Sequence, residues 1–499
     1  MSHKDITSTR GTVEFLREQN ELLTVKGEVD PIYEMAGIQK ALEGGPALLF
    51  ENIRGYPGVR NIGNLFCHEP RVAAMFDVAD YGQLKFKFLE AIKNPIPPRV
   101  VSEAPCQDVV ITDNIDVLDI LPLIKHSEDD AGRILGSGIV LEMGLDDGKG
   151  NDIAFKRILF RGKDWGALHS IPQSHLGHAR EVEFKGKTMP LTINIGTPPA
   201  VTMVAGGRAL HTIVPYGSDE LGIAGAVQGS PIEICKARTV DAYAIANAEW
   251  VIEGYWTPEP MWETEEAERI GQKRVAPFFP EWEGYQGKAT LDYKFQVTAI
   301  THRKDGPIFY TPLAHSTELE NMHAVTEACY YELAERTVPG LVRDVNILHG
   351  LKSGGVVFQV EKRSPEDEGR QRNLLETALA LAMIRMAIAV DEDVDIYNAD
   401  DVLWAIWTRA TETGIFRSAR GSATMGVIPA KTAAQLRGEE PEGGIAIDAT
   451  MPWAVKPHFK RIHYPVDKVD LKKWFTQAEL DAARAMQSEY ARLLAQIGG

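Results

Sequence analysis

The chain has 499 residues, of which 25% are charged and 44% are hydrophobic, and its formal net charge is -17. That length exceeds what a single hydrophobic core usually organises, so two or three domains are expected. The negative charge argues against a nucleic-acid partner and against an anionic membrane surface, because both bind a basic protein face.

Targeting and redox signals in the sequence indicate a cytoplasmic protein. The N-terminus lacks the apolar segment that begins a secreted protein, and no apolar run has the roughly 18 residues of a membrane span. The cysteines Cys67, Cys106, Cys235 and Cys329 are far apart in sequence and form no C-x-x-C pair. We interpret them as buried free thiols of a reducing compartment.

The first hundred residues mix short helical and strand patterns. EFLREQNELL at 14–23 predicts a helix, and PALLFENI at 46–53 predicts a strand that enters a turn. The prolines of KNPIPPRVVSEAP favour extended backbone and a domain boundary near residue 100.

Residues from about 130 to 310 are dominated by β-like runs between Gly and Pro residues, such as GSGIVLEMG, DIAFKRILFRG and YKFQVTAITHR. Alternation along AFKRILFR puts Arg157 on the face of Phe155 and Leu159, opposite Lys156. A charge among apolar neighbours is costly without a partner. We interpret this segment as a β-barrel or β-sandwich core.

The remainder of the chain predicts an α/β unit. MHAVTEACYYELAER is typical of a helix, and the strands DVNIL and GVVFQVEK follow it. Ser364 before Pro365, with acids in the first turn, predicts a helix that runs to about Arg385 and gives way to the strand MAIAV. Thr476 and Glu479 have capping-box spacing before LDAARAMQSEYARLLAQI, a helix that would pack on its own domain or on another subunit.

Common catalytic signatures are absent from the sequence. It has no G-x-G-x-x-G after a strand, no Walker-type phosphate loop, no H-E-x-x-H and no G-x-S-x-G. The motifs alone therefore indicate a multi-domain α/β protein and no particular activity.

Eight segments resemble, in order, the UbiD family of reversible decarboxylases, and they extend over nearly the whole chain. They are GPALLFENIRGYPGVRNIGN at 45–64, DIAFKR at 152–157, IPQSHLGH at 171–178, INIGTPPAVTMVAGG at 193–207, DELGIAGAVQGSPIEICKA at 219–237, FPEWEGY at 279–285, AVDEDVDIYNADDVLWAIWTR at 389–409 and DATMPWAVK at 448–456. The chain is more similar to hydroxybenzoate-type members, such as protocatechuate and gallate decarboxylases, than to cinnamate-type members.

The resemblance implies an α/β (α+β) fold in which a split β-barrel flavin-binding domain is joined by a helix to a C-terminal α/β oligomerisation domain. The implied segments are an N-terminal mixed α/β region at 1–115, the barrel domain for prenylated FMN and metal at 116–320, a linker helix at 321–342, the C-terminal α/β domain at 343–470 and a C-terminal helix at 471–499, for which packing within its own domain and packing on another subunit both stay open. A homodimer or homohexamer is expected.

The implied activity is reversible, non-oxidative decarboxylation of an aromatic or α,β-unsaturated carboxylic acid through a covalent adduct with prenylated FMN. Acid–base side chains supply only roughly 10²- to 10⁴-fold acceleration, whereas enzymes typically accelerate reactions by at least about 10⁶-fold. Because loss of CO2 from an sp² carbon leaves a carbanion that nothing delocalises, a cofactor must carry the hard step. A flavin prenyltransferase would supply that cofactor.

The resemblance assigns a metal that holds the flavin phosphate to Asp152, His175 and Glu220. Two carboxylates beside a phosphate repel one another, so a divalent cation must bridge them. Oxygen and imidazole ligands suit Mn²⁺ best and Mg²⁺ next, with K⁺ beside the site. The family often has Asn where this chain has Asp152. Further cofactor-binding residues implied by the same match are Phe155, Lys156, Arg157 and Ser174.

Catalysis in the family rests on a Glu–Arg–Glu network. Arg157 matches its arginine, and Glu281 in FPEWEGY matches the acid that protonates the substrate carbon after CO2 has left. The cinnamate-type branch has its second Glu five residues before that acid, but Ala276 occupies the position here. Glu268 lies about where hydroxybenzoate-type members have an acid, and we take it as the second Glu, although its acid-rich run is also typical of a solvated helix face.

The family lines its substrate pocket with residues that match His323 and the ARGSATMG loop near Arg420. Ser422 and Thr424 are small at these positions, which suggests room for a larger or polar acid, including a thioester-linked aromatic carboxylate.

The sequence is also compatible with two other functions. One is a decarboxylase that uses the metal without a flavin, and the other is a catalytically silent flavin-binding subunit. The presence of both Arg157 and Glu281 argues against the silent subunit.

Overall fold

The computed structural model of the chain describes residues 4–148, 150–171, 174–208, 210–381, 384–419, 435, 443–462, 464–488 and 491–492. No helix in this part of the chain has the length and apolar character that crossing a lipid bilayer requires.

The helices in the described residues are mostly short. They are α1 Thr9–Glu18, α2 Glu34–Ala41, α3 Glu69–Met75, α4 Leu84–Lys93, α5 Val117–Ile120, α6 Leu145–Gly148, α7 His175–Val182, α8 Pro199–Ala205, α9 Leu210–Ile213, α10 Glu220–Gln228, α11 Glu265–Ile270, α12 Thr317–Glu320, α13 Ala324–Thr337, α14 Arg370–Ala380, α15 Ala399–Arg409 and α16 Gln477–Met486.

The longest strands lie in the middle of the chain. The strands are β1 Leu22–Val25, β2 Ala47–Phe50, β3 Arg60–Gly63, β4 Arg99–Val100, β5 Val109–Ile111, β6 Ile134–Gly144, β7 Gly150–Phe160, β8 Trp165–Leu168, β9 Met189–Ile195, β10 Glu233–Lys236, β11 Tyr243–Ile245, β12 Trp250–Trp262, β13 Pro277–Pro280, β14 Gln286–Lys288, β15 Leu291–His302, β16 Ile308–Tyr310, β17 Val342–Asn346, β18 Gly355–Val360, β19 Met386–Asp391, β20 Ile415–Ala419 and β21 Gly443–Ala449.

A closed antiparallel barrel forms the centre of the described structure. Its strands follow the order β12, β9, β6, β7, β8 and β15, and pairing of β15 with β12 closes the sheet. β5 adds to the outside of β15. Closure removes the free sheet edges. Along β7, Lys156, Ile158 and Phe160 are buried while Arg157 and Leu159 are partly exposed, which confirms the predicted alternation.

The N-terminal residues pack on the barrel through a small sheet with the order β1, β2, β3 and β16. The predicted helix at 14–23 is wrong in its bounds, because the helix spans Thr9–Glu18. The Ser8 side chain accepts a hydrogen bond from the Gly11 N–H and starts α1. Asn20 has a φ of 58°, a left-handed conformation that ends the helical path before β1.

The predicted helix after the barrel is confirmed as α13, and a second sheet follows it with the order β17, β18, β19, β21 and β20. The helix predicted from Ser364 starts later than expected, at Arg370. Pro365–Asp367 instead forms a 3₁₀ turn, and Gly369 with a φ of 92° separates that turn from α14. The strand predicted from MAIAV is confirmed as β19.

Near the C-terminus, the predicted capping box is present. The Thr476 side chain accepts from the Glu479 N–H, and Glu479 accepts from the Thr476 N–H, at the start of α16. The helix ends at Met486, whereas the sequence pattern predicts helix to residue 497, a stretch that lies mostly outside the described residues.

Candidate active site

Strand β7 carries two groups of polar side chains on its opposite faces. Asp152 and Lys156 share one face and are buried, and Arg157 lies on the other face. Asp292 on β15 interacts electrostatically with both Lys156 and Arg157, so the two groups are neighbours.

The Arg157 network consists of Arg157, Glu263 and Glu281. The guanidinium donates to Glu263 from Nε to Oε1 at 3.0 Å and from Nη2 to Oε2 at 2.9 Å, a bidentate pair. Nη1 donates to Oε1 of Glu281. Burial alone would lower the pKa of Arg157, but attraction to Glu263 and Glu281 raises it above the ordinary value. The structure therefore brings together Arg157 and Glu281, the two residues that the family resemblance assigns to one network.

Glu263 is held in place by more than Arg157. Its side chain is fully buried, and Oε2 also accepts from the Thr290 N–H at 2.8 Å. The ring of Phe278 lies 4.5 Å from the centre of the guanidinium and covers the pair. The network is therefore rigid before any ligand binds.

The structure does not bring Glu268 to Arg157. Glu268 is half exposed in the first turn of α11 and pairs with Arg161, from Nη2 to Oε2 at 2.6 Å. Glu263 takes the expected position because it follows β12 directly and precedes Thr264, the N-cap of α11. An N-cap Thr places the acids after it on a solvated first turn, and that signal could have favoured Glu263 over Glu268.

A tight hairpin of β13 and β14 positions Glu281. The Glu281 N–H donates to Tyr285 O and the Gly284 N–H donates to Glu281 O, both at 2.9 Å, and Gly284 has a φ of 90°. A Cβ on Gly287 would lie 2.7 Å from the Glu281 side chain, so a glycine is required there.

The carboxylate–imidazole triad consists of Asp152, His175 and Glu220. One ligand atom from each residue lies within 4.8 Å of the others, and all three residues are buried. His175 and Glu220 are the first residues of α7 and α10, whose N-caps are Ser174 and Asp219. The helix caps therefore fix two of the three side chains.

Charge is unbalanced in the triad. Burial and the neighbouring Glu220 raise the pKa of Asp152 well above its usual range, and burial raises the pKa of Glu220 to about 7. Burial lowers the pKa of His175, which keeps the imidazole neutral and able to ligate. Asp152 Oδ2 is buried without a hydrogen-bond partner. The donor set fits a divalent cation with oxygen and nitrogen ligands.

The other predicted cofactor residues lie around the triad. Lys156 Nζ donates to Ser170 Oγ at 3.1 Å, and Ser170 Oγ lies 3.2 Å from Ser174 Oγ. Burial lowers the pKa of Lys156. Phe155 is partly buried against the barrel core. These groups offer a cation and hydroxyls to an anionic ligand.

His323 is buried, and its Nε2 lies 2.7 Å from Ser353 Oγ. Burial lowers its pKa well below the usual range, and the positive charges of Arg208 and Lys352 act in the same direction. Arg208 also lies over the ring of Trp282 at 4.3 Å and interacts with Glu281. His323 therefore belongs to the same region as Glu281. Arg420, Ser422 and Thr424 lie outside the described residues.

Three sequence profiles match the chain. The 3-octaprenyl-4-hydroxybenzoate carboxy-lyase Rift-related domain matches residues 99–315, and the N-terminal and C-terminal domains of the same enzymes match residues 13–86 and 321–426. The chain belongs to the UbiD family. Its enzyme class, carboxy-lyase, is confirmed.

Curated members of the UbiD family resemble the chain over most of its length. A gallate decarboxylase of Lactiplantibacillus plantarum is 32% identical over 464 residues, which are 88% of this chain and 92% of that protein. A phenolic acid decarboxylase of Bacillus subtilis is 29% identical over 422 residues, which are 79% of this chain and 83% of that protein. The predicted similarity to hydroxybenzoate-type members is confirmed.

Solved UbiD-class structures have the same fold. The apo structure of a 3,4-dihydroxybenzoic acid decarboxylase from Enterobacter cloacae aligns with a TM-score of 0.81 and 29% identity, over 95% of this chain and 99% of that one. A UbiD-class enzyme from Pelotomaculum thermopropionicum in complex with FMN aligns with a TM-score of 0.80 and 29% identity, over 94% of this chain and all of that one. An evolved dimeric form of the latter, in complex with prenylated FMN, has a TM-score of 0.77, 28% identity and the same two coverages.

Proposed function

We propose that this UbiD family member catalyses the reversible, non-oxidative decarboxylation of an aromatic or α,β-unsaturated carboxylic acid with prenylated FMN. The observation that carries the proposal is the Arg157 network beside the carboxylate–imidazole triad on one barrel strand. The first group suits proton transfer at a carbon atom, and the second suits anchoring of a phosphate through a metal.

Asp152, His175 and Glu220 would hold Mn²⁺ or Mg²⁺ against the flavin phosphate, with K⁺ beside them. Lys156 and Ser174 lie where they would add a charge and a hydroxyl to the same phosphate. When bound, prenylated FMN supplies an electrophilic carbon that withdraws electrons from the substrate.

Glu281 is the proposed proton donor. The C–C bond to the carboxylate breaks, CO2 leaves, and the proton of the Glu281 carboxyl forms the new C–H bond. Arg157 holds Glu281 in place through Nη1, and Nε and Nη2 are bound to Glu263 and to Lys288 O. One Nη1 hydrogen is left, and it would bind the substrate carboxylate, so Arg157 would both orient Glu281 and hold the carboxylate until it leaves as CO2.

The substrate class follows from the region around His323. The described residues place Arg208 and Lys352 near this buried imidazole, whose Nδ1 has no hydrogen-bond partner. A phenolic hydroxyl or a second polar group of the substrate would pair with that nitrogen. We therefore propose a hydroxylated benzoic acid or a larger polar aromatic acid, including a thioester-linked aromatic carboxylate.

The test combines a spectrum with a substrate panel. The protein is co-produced with a flavin prenyltransferase, and its ultraviolet–visible spectrum is compared with that of protein produced without it. Gallate, 3,4-dihydroxybenzoate, an aromatic thioester carboxylate and small alkenoic acids are then assayed for CO2 release. Activity without flavin supports a metal-only decarboxylase, and flavin binding without any activity supports a silent subunit. Reaction of the small alkenoic acids alone would refute the proposed pocket.

We also propose a homodimer or homohexamer, in which a C-terminal arm, residues 456–486, contacts a second copy of the chain. From 456 to 475 the arm has six Lys and Arg residues and two Asp residues, in a chain of net charge -17. Phe459, Tyr464 and Trp474 are each exposed by more than 60%. Lys456 and Arg461 pair with acids of the same chain. The other basic and aromatic side chains of the arm are complementary to an acidic partner surface.

Analytical ultracentrifugation tests this assembly. Replacing Phe459 and Trp474 with Ser should weaken association, and the same change at exposed Tyr285, outside the arm, is the control. A double variant with the sedimentation behaviour of the unmodified chain would contradict the role of the arm.

A further inference from the structure

Two cysteines that are remote in sequence lie side by side on the flank of the barrel. Cys106 and Cys235 are separated by 129 positions, and their sulfur atoms are 3.8 Å apart. Both side chains are buried, and all four cysteines of the chain are free thiols. Because this spacing fits no linear motif, the sequence alone gave no reason to pair them. We call these two residues the thiol pair.

The backbone holds the thiol pair together through hydrogen bonds on both sides. Cys106 lies in the 3₁₀ turn Pro105–Gln107, and its N–H donates to Ala246 O at 3.2 Å. The side chain of Gln107 donates to Lys236 O, next to Cys235 on β10, at 2.7 Å. A disulfide needs a sulfur–sulfur distance of about 2.05 Å, so rotation of the two side chains is the movement required.

The two thiols are electrostatically unequal. The hydrogen bond between the two thiols and the positive charge of Arg238 lower the pKa of Cys235, against the effect of burial. The same contact and burial raise the pKa of Cys106. Burial raises the pKa of Cys67 to about 12 and also raises that of Cys329. Since the thiolate is the reactive form, the positive charge of Arg238 favours Cys235 as the sulfur of the thiol pair that reacts first.

We propose that the thiol pair is an oxidation site, at which a peroxide converts Cys106 and Cys235 into a reversible intramolecular disulfide. The Cys235 sulfur attacks one peroxide oxygen, the O–O bond breaks, water leaves and a sulfenic acid remains. The Cys106 sulfur then attacks the Cys235 sulfur, the S–S bond forms, the S–O bond breaks and a second water leaves. The thiols lose two electrons and two protons, which the peroxide receives, and a dithiol reductant reverses the change.

The crosslink would restrain a part of the fold that leads to the triad. β10 follows α10, whose first residue is Glu220, after a short connection. A disulfide at Cys235 ties β10 to the segment before β5 and restricts the unfolded chain over a long loop. The oxidised protein should therefore unfold at a higher temperature than the reduced protein, while the oxidation itself needs neither flavin nor substrate.

The experiment uses the full-length protein and hydrogen peroxide, with glutathione in a parallel sample to show that the oxidant is active. Remaining thiols are alkylated under denaturing conditions, and peptides are mapped by mass spectrometry without reductant. The expected result is loss of two of the four free thiols, a peptide that joins Cys106 to Cys235, and recovery of both thiols with dithiothreitol. Oxidation of Cys67 or Cys329 first, or four intact thiols after glutathione is consumed, would overturn the proposal.

Serine variants distinguish the sulfur that attacks the peroxide from the sulfur that then forms the disulfide. Cys106→Ser should leave a sulfenic acid on Cys235 that dimedone traps, whereas Cys235→Ser should give neither the adduct nor the disulfide. Cys329→Ser should form the disulfide as the unmodified chain does. If oxidation lowered the unfolding temperature of the unmodified chain, the crosslink would not fit the native backbone. The peptide map is made on the unmodified chain, so this test does not depend on whether a variant folds.

Discussion

The two faces of β7 solve the problem of buried charge in different ways. On one face, the Arg157 guanidinium lies between two acidic side chains and donates hydrogen bonds to both of them. On the other face, the triad brings two carboxylates together with a neutral imidazole, and Lys156 is the neighbouring cation that the described residues provide. The first group is complete without a ligand, and the second is not.

The Arg157 network is preorganised for its role, whereas the triad is arranged to bind a cation. An ion pair that several hydrogen bonds hold in place keeps one geometry, which suits a group that must deliver a proton to one atom. Acids that repel each other in a buried site favour any cation that joins them. We therefore expect neutralisation of an acid to have opposite effects on stability at the two groups.

The largest effect is expected from Glu281→Gln in the Arg157 network. The amide keeps the shape of the side chain but cannot deliver a proton, so decarboxylation should slow by roughly 10²- to 10⁴-fold. Flavin spectra and metal content should remain those of the unmodified chain. The matched control is Glu268→Gln, an exposed acid that also pairs with an arginine of the same region. Equal losses in the two variants would contradict the assignment of Glu281.

Glu263→Gln tests whether the Arg157 network is an ion pair that the fold depends on. Removing one partner of a buried pair leaves the other charge poorly compensated, at a cost of about 3 to 5 kcal/mol. Urea unfolding should show this loss in both the presence and absence of Mn²⁺, and activity should fall because Glu281 loses its fixed partner. Glu259→Gln, at an exposed acid of β12 four residues earlier, serves as control. Unchanged stability would mean that Glu263 is not part of a rigid network.

Glu318 is a buried acid outside both groups, and it shows what burial does without a metal site. Burial raises its pKa to about 7 from an ordinary 4.5. The folded state therefore keeps a proton that the unfolded state releases, and stability falls as pH rises through this window. The full difference is on the order of 3 kcal/mol, and Glu318→Gln should abolish it.

Unfolding by urea at about pH 5 and about pH 8, with and without Mn²⁺, measures the effect of Glu318. The stability difference between the unmodified chain and Glu318→Gln should change with pH and should not respond to the metal. A difference that is the same at both pH values would show that Glu318 is ionised in the fold throughout.

Local patterns and the family resemblance predicted some features, but not the helices α7 and α10 or the hairpin of β13 and β14 that carry His175, Glu220 and Glu281. The alternation of AFKRILFR gave the faces of β7, the capping box gave the start of α16, and the resemblance paired Arg157 with Glu281. Closure of the barrel could not be predicted from local sequence patterns, because the pairing of β12 with β15 depends on the order of all strands in the sheet.

The errors in the sequence analysis came from competition between local signals. Asn20 and Gly369 adopt left-handed conformations that shift the bounds of α1 and α14, although the apolar spacing continues across them. Glu268 was taken as the second Glu because it lies about where hydroxybenzoate-type members have an acid, whereas the acid that reaches Arg157 is Glu263, which is buried just before Thr264, the N-cap of α11. The thiol pair depends on a contact over 129 positions, which no local pattern encodes.

The smallest effect, and the one with the opposite sign, is expected from Asp152→Asn in the triad. The amide keeps an oxygen ligand but removes one of two repelling charges, so the metal-free protein should gain about 1 kcal/mol in unfolding free energy. Mn²⁺ affinity, measured by calorimetry, should fall by roughly tenfold because a charged ligand has become neutral. Asp241→Asn, at an exposed position, should change neither quantity. If Asp152→Asn instead destabilised the metal-free protein, the acids of the triad would already be balanced within the chain, and the contrast between the two faces of β7 would be lost.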